Sequence, residues 1–294
     1  MKLIKPSFEI LDQQCDLEGI YKQIEIAGRT CYKSEDKITD DSAKEFVDRM
    51  IKSGHGAMLE HGTVYLAIPI SEWRCTDDYR DSYISNPYSN VNDSLVDWEN
   101  NEGTVYITTN FRVLVENGWL DDLQYICEPT EYHEKRITVK FITDQGILRE
   151  FTRHRVFSFA VESTRYCNYT KDKFSNEITF IQPNWISDKD IENYHMDFGY
   201  FTDQDTNHIT AVNRFMSALK NAEYFYMELI KLGWKPQQAR NILPLATKCD
   251  MVMTGFASDW KHFFELRDAA SAHPQAQELA HSLHEAFIQR GLIK

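Results

Sequence analysis

Ile137-Thr138-Val139-Lys140-Phe141-Ile142-Thr143-Asp144-Gln145-Gly146-Ile147-Leu148-Arg149-Glu150-Phe151-Thr152-Arg153-His154-Arg155 changes its period partway along. Ile137, Val139 and Phe141 alternate with Thr138 and Lys140, which predicts a strand with one apolar face. After the turn, Ile147, Leu148 and Phe151 recur at helical spacing and lead into Arg153-His154-Arg155. A strand, a helix and a dense cationic cluster thus follow one another within nineteen residues.

The same two periods recur on either side. Ala43, Phe46, Val47, Met50 and Ile51 predict an amphipathic helix over 40–54, with aspartates at its start and glycine at its end. Val64, Leu66 and Ile68 predict a buried strand that stops at Pro69. A long helix is expected over 205–233, through Ile209, Val212, Phe215, Met216, Leu219 and Leu229, ending at Gly233. Pro236 suits the first turn of another helix and Pro244 its end. Met251 and Met253 suggest a short strand, Ser258 or Asp259 a cap for a helix through Trp260, Phe263, Phe264 and Leu266, and 274–290 a last helix. Helices and strands mix without a regular βαβ alternation, so the fold class is α+β.

With 294 residues, 42% hydrophobic, the chain can bury a sizeable core. A net charge of −13 and a pI near 5.2 argue against a nucleic-acid partner, which needs a basic patch or stripe. Fourteen acids against four bases place −10 of that charge in residues 72–135, a turn-rich stretch read as an acidic insertion within a single domain over 1–294. The remaining sequence is close to neutral, so overall acidity does not set the field in a pocket built there. Neither a leader nor an apolar run long enough for a membrane is visible, and six cysteines without a C-x-x-C pair suit a reducing compartment; a cytoplasmic enzyme without a membrane partner is expected.

Residues 153–166 hold three arginines, a histidine, a glutamate and two serines, a donor density suited to phosphate groups. A solvated basic helix end is the ordinary reading of such arginines. Against it, Arg155 falls four residues after Phe151, on an apolar helix face, where a charge needs an anionic partner.

Arg153-His154-Arg155, seven residues, then Ser163-Thr164-Arg165 resembles the R-H-R, S-x-R signature of the flavin-dependent thymidylate synthases, the ThyX family. Gly54-His55 with Glu60-His61 resembles that family's G-H-x-x-x-x-E-H segment, Ala239-Arg240 with Leu243-Pro244 its A-R-x-x-L-P, and His262-Phe263 with Arg267 its H-F-x-x-x-R, all in the family's order. Ala160-Val161 stand where many members have Asn-Glu, with the glutamate one place later at Glu162, and Phe256 stands where an asparagine is common. The resemblance implies a ThyX-like fold with a central antiparallel-type sheet, FAD bound between subunits of a homotetramer, and methylation of dUMP to dTMP, with methylenetetrahydrofolate, a folate, as carbon donor and NADPH as reductant. Residue by residue it implies that His55, Glu60, Arg153, His154, Arg155 and His262 contact FAD. It further implies that Glu162, Ser163, Arg165, Arg240 and Arg267 bind dUMP, with Arg267 catalytic as well. A catalytically silent nucleotide-binding or regulatory protein of the same fold is the alternative.

Other readings of these residues are weaker. His55, Glu60 and His61 lack H-E-x-x-H spacing, so no metal is expected. Cys167 lies two residues after Arg165 and invites a thiol-nucleophile reading, but the flavin mechanism does not need one. Arg267 falls four residues after Phe263 and three after Phe264, so something anionic should meet it: the uracil edge, or a structural partner such as Asp268 or Glu265.

Overall fold

The computed structural model describes residues 1–73, 83–100, 102–171, 174–192 and 210–293. The predicted strand is β6 (Arg136–Asp144), and it lies in a four-stranded antiparallel sheet with β2 (Ser7–Leu11), β7 (Ser158–Val161) and β9 (Lys248–Phe256), in the order β2-β6-β9-β7. The expected short strand at Met251 and Met253 is thus nine residues long, running in register with β6 from Arg136 opposite Phe256 to Asp144 opposite Lys248. Helices and antiparallel sheets are both present, so the class is α+β.

Alternation in β6 and β9 gives the sheet two apolar faces. Ile137, Val139, Phe141, Cys249, Met251 and Met253 meet α5 (Gln145–Phe151), α9 (Ala257–Arg267) and α10 (Pro274–Gln289), the last two contributing Trp260, Phe263, Leu283 and Phe287. The opposite face, through Val252 and Ala160, meets Ala27 of α1 (Leu17–Tyr32). At Gly255 an added Cβ would come within 2.5 Å of the Phe157 ring, so this crossing needs glycine. Helix α9 is not capped by its own Ser258 or Asp259 at the first position, as the sequence suggested. Phe256 is its N-cap, Asp259 reaches back to accept the Phe256 N–H at 3.0 Å, and the Ser258 N–H is taken by Glu134.

A second core sits under a three-stranded sheet of β3 (Thr63–Pro69), β5 (Thr104–Asn110) and β4 (Asn90–Asn92), in the order β3-β5-β4. Here α1, the predicted helix α2 (Ser42–Lys52), α3 (Gly56–Leu59) and α4 (Phe111–Asn117) bring Ile20, Ile24, Phe46, Val47, Leu59 and Phe111 onto Val64, Leu66, Val105 and Ile107. The acidic stretch therefore contributes the middle strand of a buried sheet, although its residues 74–82 and 101 lie outside the described residues. A two-stranded parallel sheet joins β1 (Lys2–Ile4) to β8 (Thr179–Ile181), and beyond the short helix α6 (Asp188–Glu192) the long helix α7 (Ala211–Lys231) packs against Phe180, Cys167 and Tyr169. The expected start of α7 at 205–209 lies outside the described residues. Thr210 caps the observed helix through the Asn213 N–H, and Gly233 follows its end at φ +94°. Helix α8 (Pro236–Ala239) is short and passes into a 3-10 turn before Pro244.

Phe151 anchors α5 to the sheet: its ring is fully buried, 5.3 Å from Phe141 and 4.9 Å from Phe263. Phe151→Ala should cost about 3–5 kcal/mol, as for other buried phenylalanines cut to alanine, and lower the urea midpoint accordingly. A midpoint equal to wild type would show that α5 is not held through this contact.

Candidate active site

Helix α5 sets the geometry of the cationic cluster. Asp144 caps it, one carboxylate oxygen accepting the Ile147 N–H at 2.8 Å and the other Gln275 Nε2 at 2.8 Å. Ile147, Leu148 and Phe151 turn into the core, which leaves Arg149 and Glu150 on the outward face. The helix ends at Phe151, so the spacing that put Arg155 on an inward face does not carry that far. Arg155 is exposed, as is Arg153, whose guanidinium lies 3.8 Å from Glu150. His154 is the residue that turns in: it is 8% exposed, with its ring centroid 5.1 Å from that of Phe263.

The C-terminal end of α9 meets this turn. Arg267 donates from Nε to His154 Nε2 at 2.9 Å, from Nη1 to Glu150 Oε2 at 2.8 Å and from Nη2 to the Glu150 carbonyl at 2.6 Å. An anion does meet the guanidinium, and within this chain it is Glu150 rather than Asp268 or Glu265. Asp268 instead accepts from His281 and His284, both at 2.9 Å, and Glu265 pairs with the exposed His262 at 3.2 Å. Because His154 Nε2 accepts from a cation, its proton sits on Nδ1 and the ring is neutral. Burial, then Arg267 and His262, push its pKa down to about 4.

The S-x-R turn follows β7. Arg240 donates to Thr164 Oγ1 at 3.1 Å, which brings the A-R-x-x-L-P segment onto the turn. Between them lies a cleft of about 360 Å³ lined by Gln145, Arg149, Thr164, Arg240, Asn241 and Thr247. Arg149 was missed in the sequence, although the inward positions Ile147, Leu148 and Phe151 already implied that it faces out. Arg165 is exposed and sits 5.4 Å from the Tyr166 ring centroid; that ring lies 6.0 Å from Tyr32, whose hydroxyl is 3.1 Å from His55 Nδ1. His55 thus approaches the S-x-R turn through two tyrosines. Glu60 lies further along and pairs with Arg112 Nη1 at 2.5 Å, while its carbonyl accepts from the buried Arg136.

One chain therefore gathers these residues in three neighbouring groups. The first is Arg267, His154, Glu150 and Arg153 with His262 nearby, the second Arg149, Thr164 and Arg240, the third His55, Tyr32, Tyr166 and Arg165. Ser163 holds the turn by donating its N–H to the Cys31 carbonyl at 2.9 Å, and the Glu162 carboxylate is buried behind it. Cys167 is 1% exposed, packed with Tyr169, Ile178 and Phe180 rather than opening toward the arginines. Among the described residues no group of three or more His, Cys, Asp or Glu side chains is placed to hold a metal ion, and no helix is long and apolar enough to cross a membrane.

Residues 129–290 match the family model for the thymidylate synthase complementing protein, a stretch that holds three of the four motifs. The flavin-dependent thymidylate synthase of Halobacterium salinarum is 27% identical over 164 residues, 55% of this chain and 65% of that protein. That of Haloarcula marismortui is 26% identical over 162 residues, 53% of this chain and 64% of that protein. The matched region thus spans just under two thirds of these relatives. A crystal structure of a UMP/dUMP methylase, PolB from Streptomyces cacaoi, bound with 5-Br dUMP, aligns over 98% of this chain and 93% of its own at 17% identity and a TM-score of 0.42.

The neutral His154 has a consequence for stability. Above its ordinary value of 6.5 the ring is uncharged in both folded and unfolded chains; between 6.5 and about 4 only the unfolded chain takes the proton, so stability falls as pH drops through that window. His61, fully buried and pushed down to about 3 by burial and then Arg136, acts in the same direction. His154→Gln keeps an acceptor for Arg267 but does not titrate, so the decline in melting temperature from pH 6.5 to 4 should be shallower than in wild type. An unchanged decline would remove His154 from this role.

Proposed function

Since the chain belongs to the thymidylate synthase complementing protein family, we propose that it is a flavin-dependent thymidylate synthase, converting dUMP to dTMP with methylenetetrahydrofolate as carbon donor and NADPH as reductant. The observation that carries this reading is the Arg240 to Thr164 hydrogen bond. It joins two motifs 76 residues apart, so that Arg149 and Arg240 line one polar cleft beside the S-x-R turn. Paired guanidiniums beside a hydroxyl make a strong phosphate site, and in this reading they hold the phosphate of dUMP together with Ser163 and Arg165.

The donor set also suits FAD. Arg153 and Arg155 offer solvent-facing guanidiniums for a pyrophosphate, and His55 and His262 offer exposed imidazoles, while His154 supports them from the interior. Phe256 has the Arg136 guanidinium 5.6 Å from its ring and is itself a flat surface where many relatives carry an amide. When bound, FAD supplies the hydride that completes the methyl group at uracil C5. The chain's own residues bind and orient the two nucleotides and exclude water.

Arg267 has further N–H donors beyond the three bonds it makes. In this reading one of them meets the uracil edge, where a fixed positive charge favours loss of the N3 proton and moves electron density toward C5. Glu150 and His154 aim the guanidinium and hold it against the turn. The three residue groups of one chain become complete sites on assembly into a homotetramer; Tyr224, Phe225, Leu232 and Trp234, each about half exposed or more at the end of α7, are apolar surface available for it.

Reconstitution with FAD should give a yellow protein with flavin absorbance at the mass of a tetramer; a monomer that retains no flavin would count against the proposal. In the FAD-loaded protein, Arg267→Ala should lower turnover by about 10²-fold or more, the scale of losing one preorganised donor, with lysine a poor replacement. An unstable, flavin-free variant would instead assign the Glu150 and His154 bonds a purely structural role, and a stable one with normal turnover would remove Arg267 from the chemistry. Cys167→Ala should keep most of the activity, whereas lost turnover with FAD and nucleotide still bound would reinstate a thiol nucleophile.

A further inference from the structure

Behind the S-x-R turn two partly buried lysines, Lys33 and Lys248, meet two buried carboxylates, Glu162 and Asp250. Lys248 Nζ is 3.0 Å from Glu162 Oε2 and 2.5 Å from Asp250 Oδ1. Lys33 pairs with the other oxygen of Asp250 and stands 3.8 Å from Glu162. The Glu162 side chain is 2% exposed and that of Asp250 5%, whereas the lysines are partly buried at 14% and 17%. Glu35 lies 3.2 Å from Lys33 and 3.7 Å from Lys140, so the wider group sets three cations against three carboxylates and offers no surplus field to an anion. Lys33, Glu162, Lys248 and Asp250 come from three elements that pack together through Ala27, Ala160 and Val252, and the charges tie their ends: the C-terminus of α1, the end of β7 and the start of β9.

Each link fixes the backbone of the turn. The Glu162 N–H donates to the Asp250 carbonyl at 2.8 Å, and the Asp250 N–H donates back to Glu162 Oε2 at 3.2 Å. One residue further on, Ser163 is tied to Cys31 of α1, and Tyr166 and Cys167 both donate their N–H groups to the Ser163 carbonyl at 3.1 Å. Lys33 itself caps α1 at φ +49°, a left-handed conformation that ordinarily favours glycine or asparagine, so a lysine there carries a local cost. Burial by itself would lower the Lys33 pKa, yet the carboxylates of Glu162 and Asp250 outweigh it and hold the ammonium above its ordinary value. For Asp250, burial opposes ionisation, but Lys248 and Lys33 more than offset that, and its carboxyl lies below its ordinary value. Lys33 and Asp250 are therefore charged across neutral pH, and removing either lysine leaves two buried carboxylates with one cation between them.

We propose that Lys33, Lys248 and Asp250 are positioning residues for the nucleotide, acting through Glu162: the four-charge group fixes the turn that presents Ser163 and Arg165. Glu162, whose resemblance-based role is contact with dUMP, serves on this view from inside the protein. The inference deepens the reading of the chain as a dUMP-binding enzyme and rests on it.

Lys248→Met in the FAD-loaded protein is the test, with Glu162→Gln/Lys248→Met as its charge-balanced companion. Three quantities are read well below the melting temperature: the dUMP Kd by calorimetry, KM against kcat, and amide hydrogen exchange over 162–167. Lys248→Met should weaken dUMP binding about tenfold or more, raise KM more than it lowers kcat, and speed exchange in the turn. The double variant should recover part of each, because it leaves no uncompensated charge. A Lys248→Met protein that folds, exchanges its turn amides as wild type and binds dUMP normally overturns the inference even if it melts lower. Should Lys248→Met not fold, normal dUMP affinity and turn protection in Lys33→Met overturn it equally. Wild-type protein that binds no dUMP fails at the earlier step, the functional reading, and the exchange measurement still decides whether the charges hold the turn.

Discussion

The antiparallel pairing of β6 with β9 is the constraint on which the rest depends. Nine residues of ladder span about 30 Å. Helix α5 leaves the sheet at Asp144 and α9 leaves it at Phe256, opposite ends of the same ladder. At a 1.5 Å rise per residue the two helices together cover nearly that length, so running back along the sheet they meet end to end. Phe151 against Phe263 is the apolar side of that meeting, and Arg267 against Glu150 and His154 the polar side. Shift the register and the cationic turn no longer finds the end of α9.

Charge is distributed so that this meeting place differs from the rest of the surface. A chain of net charge −13 places most of its excess acid in residues 72–135, part of which builds the second sheet. The R-H-R turn, the Arg149 and Arg240 cleft and Arg165 lie on segments that carry bases instead. Two inner clusters are balanced instead: Lys33 and Lys248 face Glu162 and Asp250, and the cationic Arg267 is met by Glu150. Cations that face solvent are available to anionic ligands, while Lys33, Lys248 and Arg267 face inward onto carboxylates and the buried Arg136 onto the Glu60 carbonyl.

Much of this was legible from periodicity. The strand at 64–68, the strand at 137–141, the helix within 40–54 and the final helix follow from local spacing, because a half-buried element shows its period in the sequence. The end of α5 was not legible. Thr152 is neither glycine nor proline, nothing stops the helical pattern before Arg155, and so His154 rather than Arg155 was the residue that turned inward. Glu150 as the partner of Arg267 and Lys33 as the partner of Asp250 lie 117 and 217 residues away in the chain, and only the sheet pairing brings them together. The full length of β9 was hidden for a related reason. Covered on both faces, it carries Asp250 and Thr254 where a simpler strand would be apolar, and these are met by Lys33 and Thr138, remote in sequence.

The central claim is that these arginines serve turnover of dUMP and do not merely retain a nucleotide. Release of tritium from dUMP labelled at C5 measures that directly, since the label leaves when C5 is substituted and a requirement for the folate separates substitution from exchange with solvent. Release that requires methylenetetrahydrofolate and NADPH together, in protein loaded with FAD, is the expected result. Tight dUMP binding without any release, under the same conditions and with flavin bound, would contradict it and leave a silent nucleotide-binding protein in its place.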